Sequence, residues 1–293
     1  MPDQSQPIKA VVWMTGAVIS FTSMAVAGRE VSLDLDTFEI MLYRSLIGFV
    51  LVLAIASAAG TLRQVTTARL HLHVLRNIFH FIGQNLWFFA VATIPLAQVF
   101  ALEFSQPIWV ALAAPFFLAE RLTRVRILAA GLGFLGILLV ARPGAVPLEF
   151  GTVAAMLAAF AFAATAICTK KLTSGATTTC ILFWLTAVQL VLGLACAGID
   201  GDIALPSLQM LPWVVIIAVA GLFAHFCLTT ALGFAPAVVV MPLDFLRLPL
   251  VAILGMALYA EPLAPLVFLG AAVIFGANYL NILTETRLIR DRP

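Results

Sequence analysis

The stretch AVATIPLAQVFALEFSQPIWVALAAPFFLAERL, residues 90–122, is an apolar run that holds one acidic residue, Glu103, and is closed by another, Glu120. A second copy, ALGFAPAVVVMPLDFLRLPLVAILGMALYAEPL, occupies residues 231–263, and the two align without a gap at an offset of 141. In this alignment Glu103 falls on Asp244. Similarity at a fixed long offset is typical of a chain that uses one structural unit twice.

The composition places this chain in a membrane. Of its 293 residues, 63% are hydrophobic and only 10% are charged, whereas a soluble domain carries about 25% charged residues. Apolar runs long enough to cross the hydrocarbon core form helices there, because a helix satisfies its own backbone. The sequence therefore predicts an all-α membrane protein with ten transmembrane helices, at 8–28, 38–59, 73–93, 96–119, 125–141, 150–169, 177–198, 210–233, 237–260 and 263–284.

The distribution of cations predicts the orientation. Cytoplasmic loops of membrane proteins carry an excess of Lys and Arg. With the N-terminus in the cytoplasm, twelve cations fall on the inner side, and only Arg29 and Arg142 fall outside. We therefore predict that both termini are cytoplasmic. The inner cations are Lys9, Arg63, Arg69, Arg76, Arg121, Arg124, Arg126, Lys170, Lys171, Arg287, Arg290 and Arg292.

The repeat divides the chain into two halves of five helices, residues 1–145 and 146–293. Because five is odd, the second half must enter the membrane upside down. The charges agree, since the basic loops of the first half have counterparts at 198–210 and 260–264 without Lys or Arg. Inverted-topology repeats with this charge pattern are typical of secondary transporters.

The third predicted helix carries a polar face. Its polar and aromatic residues recur at spacings of three and four, which places them on one side of a helix. At the same offset Gln84 falls on His225, near the middle of the eighth helix. Carriers of this kind bind substrate at the repeat interface, although Asn and Gln also join helices by hydrogen bonds. The predicted substrate-binding residues are Gln84, His225, Trp87, Phe88, Asn77 and His80.

Glu103 and Asp244 each precede a terminal glutamate by seventeen residues, which corresponds to about 25 Å of helix. If those glutamates mark opposite membrane edges, the two acids lie near opposite mouths of the cavity. This position favours gating or proton coupling, and a structural ion pair is the alternative. Arg247 follows Asp244 by three residues and can pair with it, whereas its counterpart Gln106 gives Glu103 no such partner.

Two further features concern movement and charge. Arg44 lies within the second apolar run, where an ionised group needs a partner, and it can pair with Glu103 or with a substrate carboxylate.

Interior prolines free a backbone carbonyl and bend a helix. Such bends act as hinges or as static kinks, and here they are expected at Pro107, Pro115, Pro242 and Pro249.

Taken together, these features resemble the EamA-type transporters of the drug/metabolite transporter superfamily. The resemblance rests on the ten helices in two halves, Arg44, and the acid-Phe pattern followed by a glutamate in each fourth helix. A glycine-bearing fifth helix follows in each half, with Gly131, Gly133 and Gly136, then Gly270 and Gly276. It implies a multi-pass carrier of the cytoplasmic membrane, and the aromatic and neutral amino acid exporters are the most similar branch.

The inverted repeat predicts a secondary transporter that works by alternating access, and the resemblance implies export of small metabolites such as aromatic and neutral amino acids. A passive facilitator or channel is the first alternative, and an intramembrane enzyme is the second. The chain has no HExxH, GxSxG or Walker motif, and its four cysteines have no metal-like spacing. We therefore expect no catalysis, no cofactor, no metal and no nucleic acid partner. The expected partners are a small metabolite and the lipid bilayer; the oligomeric state stays open, and a monomer is compatible with the sequence.

Overall fold

The computed structural model describes residues 6–117, 123–143, 148–199, 201–235, 240 and 243–290. Its regular structure is helical, which confirms the all-α prediction. The helices are α1 (Pro7–Val31), α2 (Thr37–Ala58), α3 (Leu70–Thr93), α4 (Leu96–Glu103), α5 (Gln106–Phe117), α6 (Arg124–Ala141), α7 (Phe150–Leu172), α8 (Thr178–Ala197), α9 (Leu211–Phe234), α10 (Arg247–Tyr259) and α11 (Pro265–Arg290), with a short 3-10 turn at Leu62–Gln64.

Eight described segments are long and apolar enough to cross a membrane, with α4 and α5 counted together as one span. Helix α10 is apolar but shorter, and the predicted ninth span begins in residues outside the described ranges. Helix α3 is long, but its arginine, asparagine and histidines place it outside these eight segments. The chain is therefore a multi-pass membrane protein, while the count of ten and the cytoplasmic termini stay predictions.

The helices pack in pairs that join the first part of the chain to the second. Helix α1 packs along α9, α2 along α8, α3 along α7, and α6 along α11. The α6–α11 pair is held close by glycines: a Cβ on Gly136 would lie 2.7 Å from the carbonyl oxygen of Gly270, and the reverse distance is also 2.7 Å. Small residues that let helix backbones approach are the usual basis of packing in lipid.

Two helix breaks lie beside Pro107 and Pro249, two of the four prolines at which bends were expected. Pro115 lies within α5, and Pro242 lies outside the described residues. Between α4 and α5 the chain turns at Phe104–Ser105, and before α10 it turns at Phe245–Leu246. Proline lacks an N–H, so Pro107 and Pro249 leave the carbonyls four residues earlier without an α-helical partner. Beside Pro249 a bond between residues three apart replaces the lost one, from the Leu248 N–H to the Phe245 carbonyl at 3.0 Å.

One end of the bundle, here called the Arg29 side, is tied together by Glu261. After α10 the chain turns at Ala260, whose φ is 53°. The Glu261 carboxylate then accepts a hydrogen bond from the Leu96 backbone N–H at 2.9 Å and forms an ion pair with Arg29. A carboxylate at the first N–H of α4 is favourable because these groups have no partner within the helix. The equivalent predicted acid, Glu120, lies outside the described residues.

A pair of glycine substitutions tests the α6–α11 contact. We expect Gly136→Ala to lower the thermal stability of the detergent-solubilised protein by about 1–3 kcal/mol, because its Cβ meets backbone that cannot rotate away. Gly131→Ala, on the same helix, has nothing within 4 Å of its Cβ. It is expected to leave stability unchanged or to raise it by up to about 1 kcal/mol through helix propensity. Equal melting temperatures for the two variants would contradict this packing.

Candidate functional site

Arg247 lies at the centre of an ion-pair cluster. Its Nη2 lies 2.5 Å from Asp244 Oδ2, and its Nη1 lies 3.4 Å from Glu103 Oε1. The second oxygen of Glu103 accepts a hydrogen bond of 2.7 Å from the Trp87 indole N–H. All three charged side chains are largely buried, with exposed fractions of 6%, 13% and 16% for Arg247, Asp244 and Glu103. One guanidinium therefore pairs with carboxylates from both copies of the repeated stretch.

This geometry corrects two predictions. Glu103 and Asp244 do not lie near opposite mouths, and Glu103 does not lack a cationic partner. The prediction measured about 25 Å along a straight helix, whereas the chain breaks beside each acid. The breaks also meet, since the rings of Phe104 and Phe245 stack with centroids 4.1 Å apart. Both acids consequently lie close to the point where the two broken helices contact each other.

Aromatic rings surround the Arg247 guanidinium. Its Cζ lies 4.6 Å from the ring centre of Phe21, 5.0 Å from that of Phe104 and 5.3 Å from that of Phe100. Cation–π contacts of this kind stabilise a desolvated guanidinium. The ion-pair cluster is thus shielded by rings. Asp244 Oδ1 is buried without a hydrogen-bond partner among the described residues.

Arg44 contacts Gln84 rather than a carboxylate. Its Nη1 donates a hydrogen bond of 2.8 Å to Gln84 Oε1. The guanidinium also reaches α9, where Nη2 lies 3.2 Å from the position that a Cβ on Gly221 would occupy. The predicted pairing of Arg44 with Glu103 is therefore absent from this structure. Arg44 instead connects α2 to the polar face of α3 and to α9.

One helical turn from the contact between Arg44 and Gln84, the imidazoles of His80 and His225 lie edge to face. The ring centres of His80 and His225 lie 6.5 Å apart. Phe162 lies 5.7 Å from His80, and Phe21 lies 5.4 Å from His225 in a T-shaped arrangement. His80 is 5% exposed, and neither of its ring nitrogens has a hydrogen-bond partner among the described residues. We call His80, His225, Phe21 and Phe162 the imidazole cluster.

The other predicted binding residues make packing or joining contacts. Trp87 is 3% exposed and bonds to Glu103, and Phe88 is fully buried with its ring edge against Gly28. Asn77 is fully buried, accepts a hydrogen bond from Arg76 and donates one of 2.9 Å to the Trp184 carbonyl. These contacts join helices, which is the alternative that the sequence left open. We do not include the three residues in the candidate site.

The sequence reasoning did not select Phe21, Phe162 or Gly221. A signal for all three was present, because the offset of 141 extends toward the N-terminus beyond the quoted stretch. Phe21 falls on Phe162, and His80 falls on Gly221. Each phenylalanine contacts the histidine contributed by the other half of the chain. The two phenylalanines of the imidazole cluster are therefore equivalent positions of the repeat, although the sequence reasoning identified only the histidines.

Two cavities lined by described residues lie near the break between α4 and α5. One of about 310 Å³ opens on the Arg29 side between α4, α6 and α7 and is lined by Gln98, Glu149 and Thr152. Another, of about 220 Å³, lies between α5, α6 and α11 and is lined by Gln106 and Arg126. The two cavities lie on opposite sides of the break between α4 and α5.

A comparison with protein families shows what this architecture is. The model of the EamA-like transporter family matches twice, at residues 8–142 and 149–283. The chain belongs to the EamA-like transporter family. These matches confirm the family that the sequence resembled, and they make this chain a transporter of the drug/metabolite superfamily.

Similar proteins include a riboflavin transporter of Brucella anthropi, which is 30% identical over 82% of this chain and 85% of its own length. A riboflavin transporter of Rhizobium johnstonii is 27% identical over 96% of this chain and 94% of its own. An S-adenosylmethionine uptake transporter of Rickettsia bellii is 24% identical over 96% and 95%. A solved crystal structure with 18% identity shares the fold, with a TM-score of 0.65 over 95% of this chain and 98% of the other.

The ion-pair cluster can be tested by rescue. We expect Arg247→Met to destabilise the protein by about 3–5 kcal/mol, because it leaves two buried carboxylates without a cation. Adding Glu103→Gln and Asp244→Asn to that variant should restore most of the loss, since the uncompensated charges are then gone. The measurement is thermal unfolding in detergent at neutral pH. A triple variant no more stable than Arg247→Met would contradict the charge assignment.

Proposed function

We propose that this protein is a secondary transporter of the cytoplasmic membrane that works by alternating access between two inverted halves, residues 1–145 and 146–293. Both termini are proposed to be cytoplasmic, so the Arg29 side faces outward. Family membership supports transport, and the excess of cations on one side supports the orientation. A carrier of this type moves its substrate past a fixed central site.

For the substrate, we propose a planar nitrogen heterocycle that carries a flexible polar chain. Riboflavin and S-adenosylmethionine, named for the relatives, share this chemistry through their flavin and adenine rings. The relatives give no support to the amino acid exporter that the resemblance implied. The word uptake in the Rickettsia name supports import, so we propose import rather than export as the direction.

The imidazole cluster is the observation that carries this proposal. Four rings from α1, α9, α3 and α7 contact one another in a row, and the nitrogens of His80 have no partner among the described residues. Aromatic side chains bind a planar ring by stacking or edge contacts. An imidazole can donate to or accept from ring heteroatoms. The rings and the unpartnered nitrogens of the cluster therefore support a heterocyclic substrate.

Transport into liposomes tests this function. Purified protein is reconstituted, and uptake of labelled riboflavin, S-adenosylmethionine and phenylalanine is followed over time and concentration. We expect saturable uptake of at least one heterocyclic compound and none of phenylalanine. Flux that rises linearly with concentration would instead indicate a passive facilitator. Saturable phenylalanine uptake alone would overturn the heterocycle proposal in favour of an amino acid carrier.

A matched pair of histidine variants locates the site. We expect His225→Gln to reduce the transport efficiency, kcat/KM, by about tenfold, which corresponds to about 1.4 kcal/mol. His71→Gln changes an exposed histidine at the start of α3 and should leave transport unchanged. Equal efficiencies for the two variants, at equal amounts of folded protein, would remove His225 from the proposed site.

The Arg247 cluster is the proposed site of proton coupling. Asp244 Oδ1 has no partner among the described residues, and the cluster lies where the broken helices meet, so protonation there would weaken their connection. We expect uptake to accelerate under an inward proton gradient and Asp244→Asn to abolish this acceleration. The measurement compares initial rates with and without a protonophore. Wild-type rates that do not change when the gradient collapses would exclude proton coupling.

A further inference from the structure

The buried charges of the candidate site do not balance. Arg44, Arg76 and Arg247 are 9%, 8% and 5% exposed, and the ion pairs to Glu103 and Asp244 both involve Arg247. Among the described residues, Arg44 bonds to an amide oxygen and a thioether, and Arg76 bonds to a hydroxyl and an amide oxygen. Two guanidinium groups therefore lie inside the protein with neutral hydrogen-bond partners.

An uncompensated guanidinium is unfavourable in this environment. Arginine stays protonated in proteins, and a buried charge without a counter-charge loses its hydration without a Coulombic gain. Ionisable groups that face the interior of a membrane protein commonly mark the path of a substrate or an ion. The uncompensated positive charge of Arg44 therefore attracts an anionic group.

Arg44 is placed to bind such a group beside the imidazole cluster. Gln84 follows His80 by four residues on α3, and Gly221 precedes His225 by four residues on α9. The guanidinium, which contacts Gln84 and approaches Gly221, therefore lies one helical turn, about 5.4 Å, from the two imidazoles. That displacement is toward the Arg29 side, where α3 ends and α9 begins.

Gly221 lies beside one edge of this guanidinium, with Met24 Sδ also 3.3 Å from the place of its Cβ. Both described hydrogen bonds of Arg44 start at Nη1, whereas Nη2 and Nε lie 3.2 Å and 3.4 Å from the place of a Cβ on Gly221. The Nε–Nη2 edge is one that carboxylates and phosphates bind with two parallel hydrogen bonds. A side chain on Gly221 would occupy space directly at this edge.

We propose that the central site selects substrates with an acidic group, a carboxylate or a phosphate, which binds the Nε–Nη2 edge of Arg44 while the ring lies in the imidazole cluster. The proposal rests on the proposed function, because it assigns the second half of the same substrate site. Gly221 is the specificity-determining residue that leaves the edge accessible, and Gln84 holds the guanidinium in position through Nη1.

Binding to the intact protein in detergent tests this selection with matched pairs of ligands. The phosphate pair is riboflavin 5′-phosphate and riboflavin, and the carboxylate pair is S-adenosylhomocysteine and its carboxamide, in which only the acid is changed. Benzoate and benzamide form a third pair that requires no particular substrate. We expect the acidic member of at least one pair to bind at least tenfold more tightly. The phosphate and carboxylate pairs show separately which acid the site prefers.

Two variants assign the preference to Arg44. Arg44→Gln should reduce the ratio of affinities within a pair to less than about threefold. Gly221→Ala should do the same without changing any charge, because its Cβ blocks the edge. Gly233→Ala, on the same helix with nothing within 4 Å, should retain the full preference. A ratio that survives both Arg44→Gln and Gly221→Ala would overturn the assignment.

The outcomes separate this inference from the proposed function. Equal affinities for acidic and neutral members of all three pairs would overturn the anion selection, even if heterocycles are transported in liposomes. Conversely, an Arg44-dependent preference for benzoate over benzamide supports the anion site even if liposomes show no heterocycle transport. In that case only the proposed function fails.

Discussion

The ion pairs of Arg247 hold the two broken helices against each other. Buried carboxylates are tolerated in this position because one guanidinium reaches both of them. The proline breaks make this possible, since they place both acids at the point where the helices meet. Around this contact the rings of Phe21, Phe100 and Phe104 replace water as the surroundings of the charge. The positions of α4, α5 and α10, and hence the wall of the central region, follow from it.

Much of the fold could be predicted because lipid imposes simple rules. Long apolar runs become helices, and the boundaries of α1, α2, α3 and α7 lie within a few residues of those expected. The offset of 141 also indicated which positions correspond. What it could not indicate was the path of the chain at the breaks. The error for Glu103 arose from treating the repeated stretch as a straight rod, although Pro107 lies only four residues further along.

Side-chain partners were less predictable than helices. A polar face on α3 was correctly located, but its residues have different roles: Asn77 joins α3 to α8, Gln84 holds Arg44, and His80 faces His225. Spacing along one helix shows which residues share a face, whereas the partner depends on how other helices cross it. The placement of Arg44 beside Gly221 was therefore beyond the sequence, because it requires the relative positions of α2 and α9.

The fold-back of Glu261 onto α4 has a consequence for how the molecule hydrates. Its carboxylate and the Arg29 side chain together satisfy three backbone groups, the N–H of Leu96 and the carbonyls of Val91 and Ile94. If the loop after α10 moves away, the Leu96 N–H and the Arg29 guanidinium lose their carboxylate partner, whereas the two carbonyls keep Arg29. Water is a partner small enough to reach both freed groups. Opening at the Arg29 side therefore brings water to the start of α4.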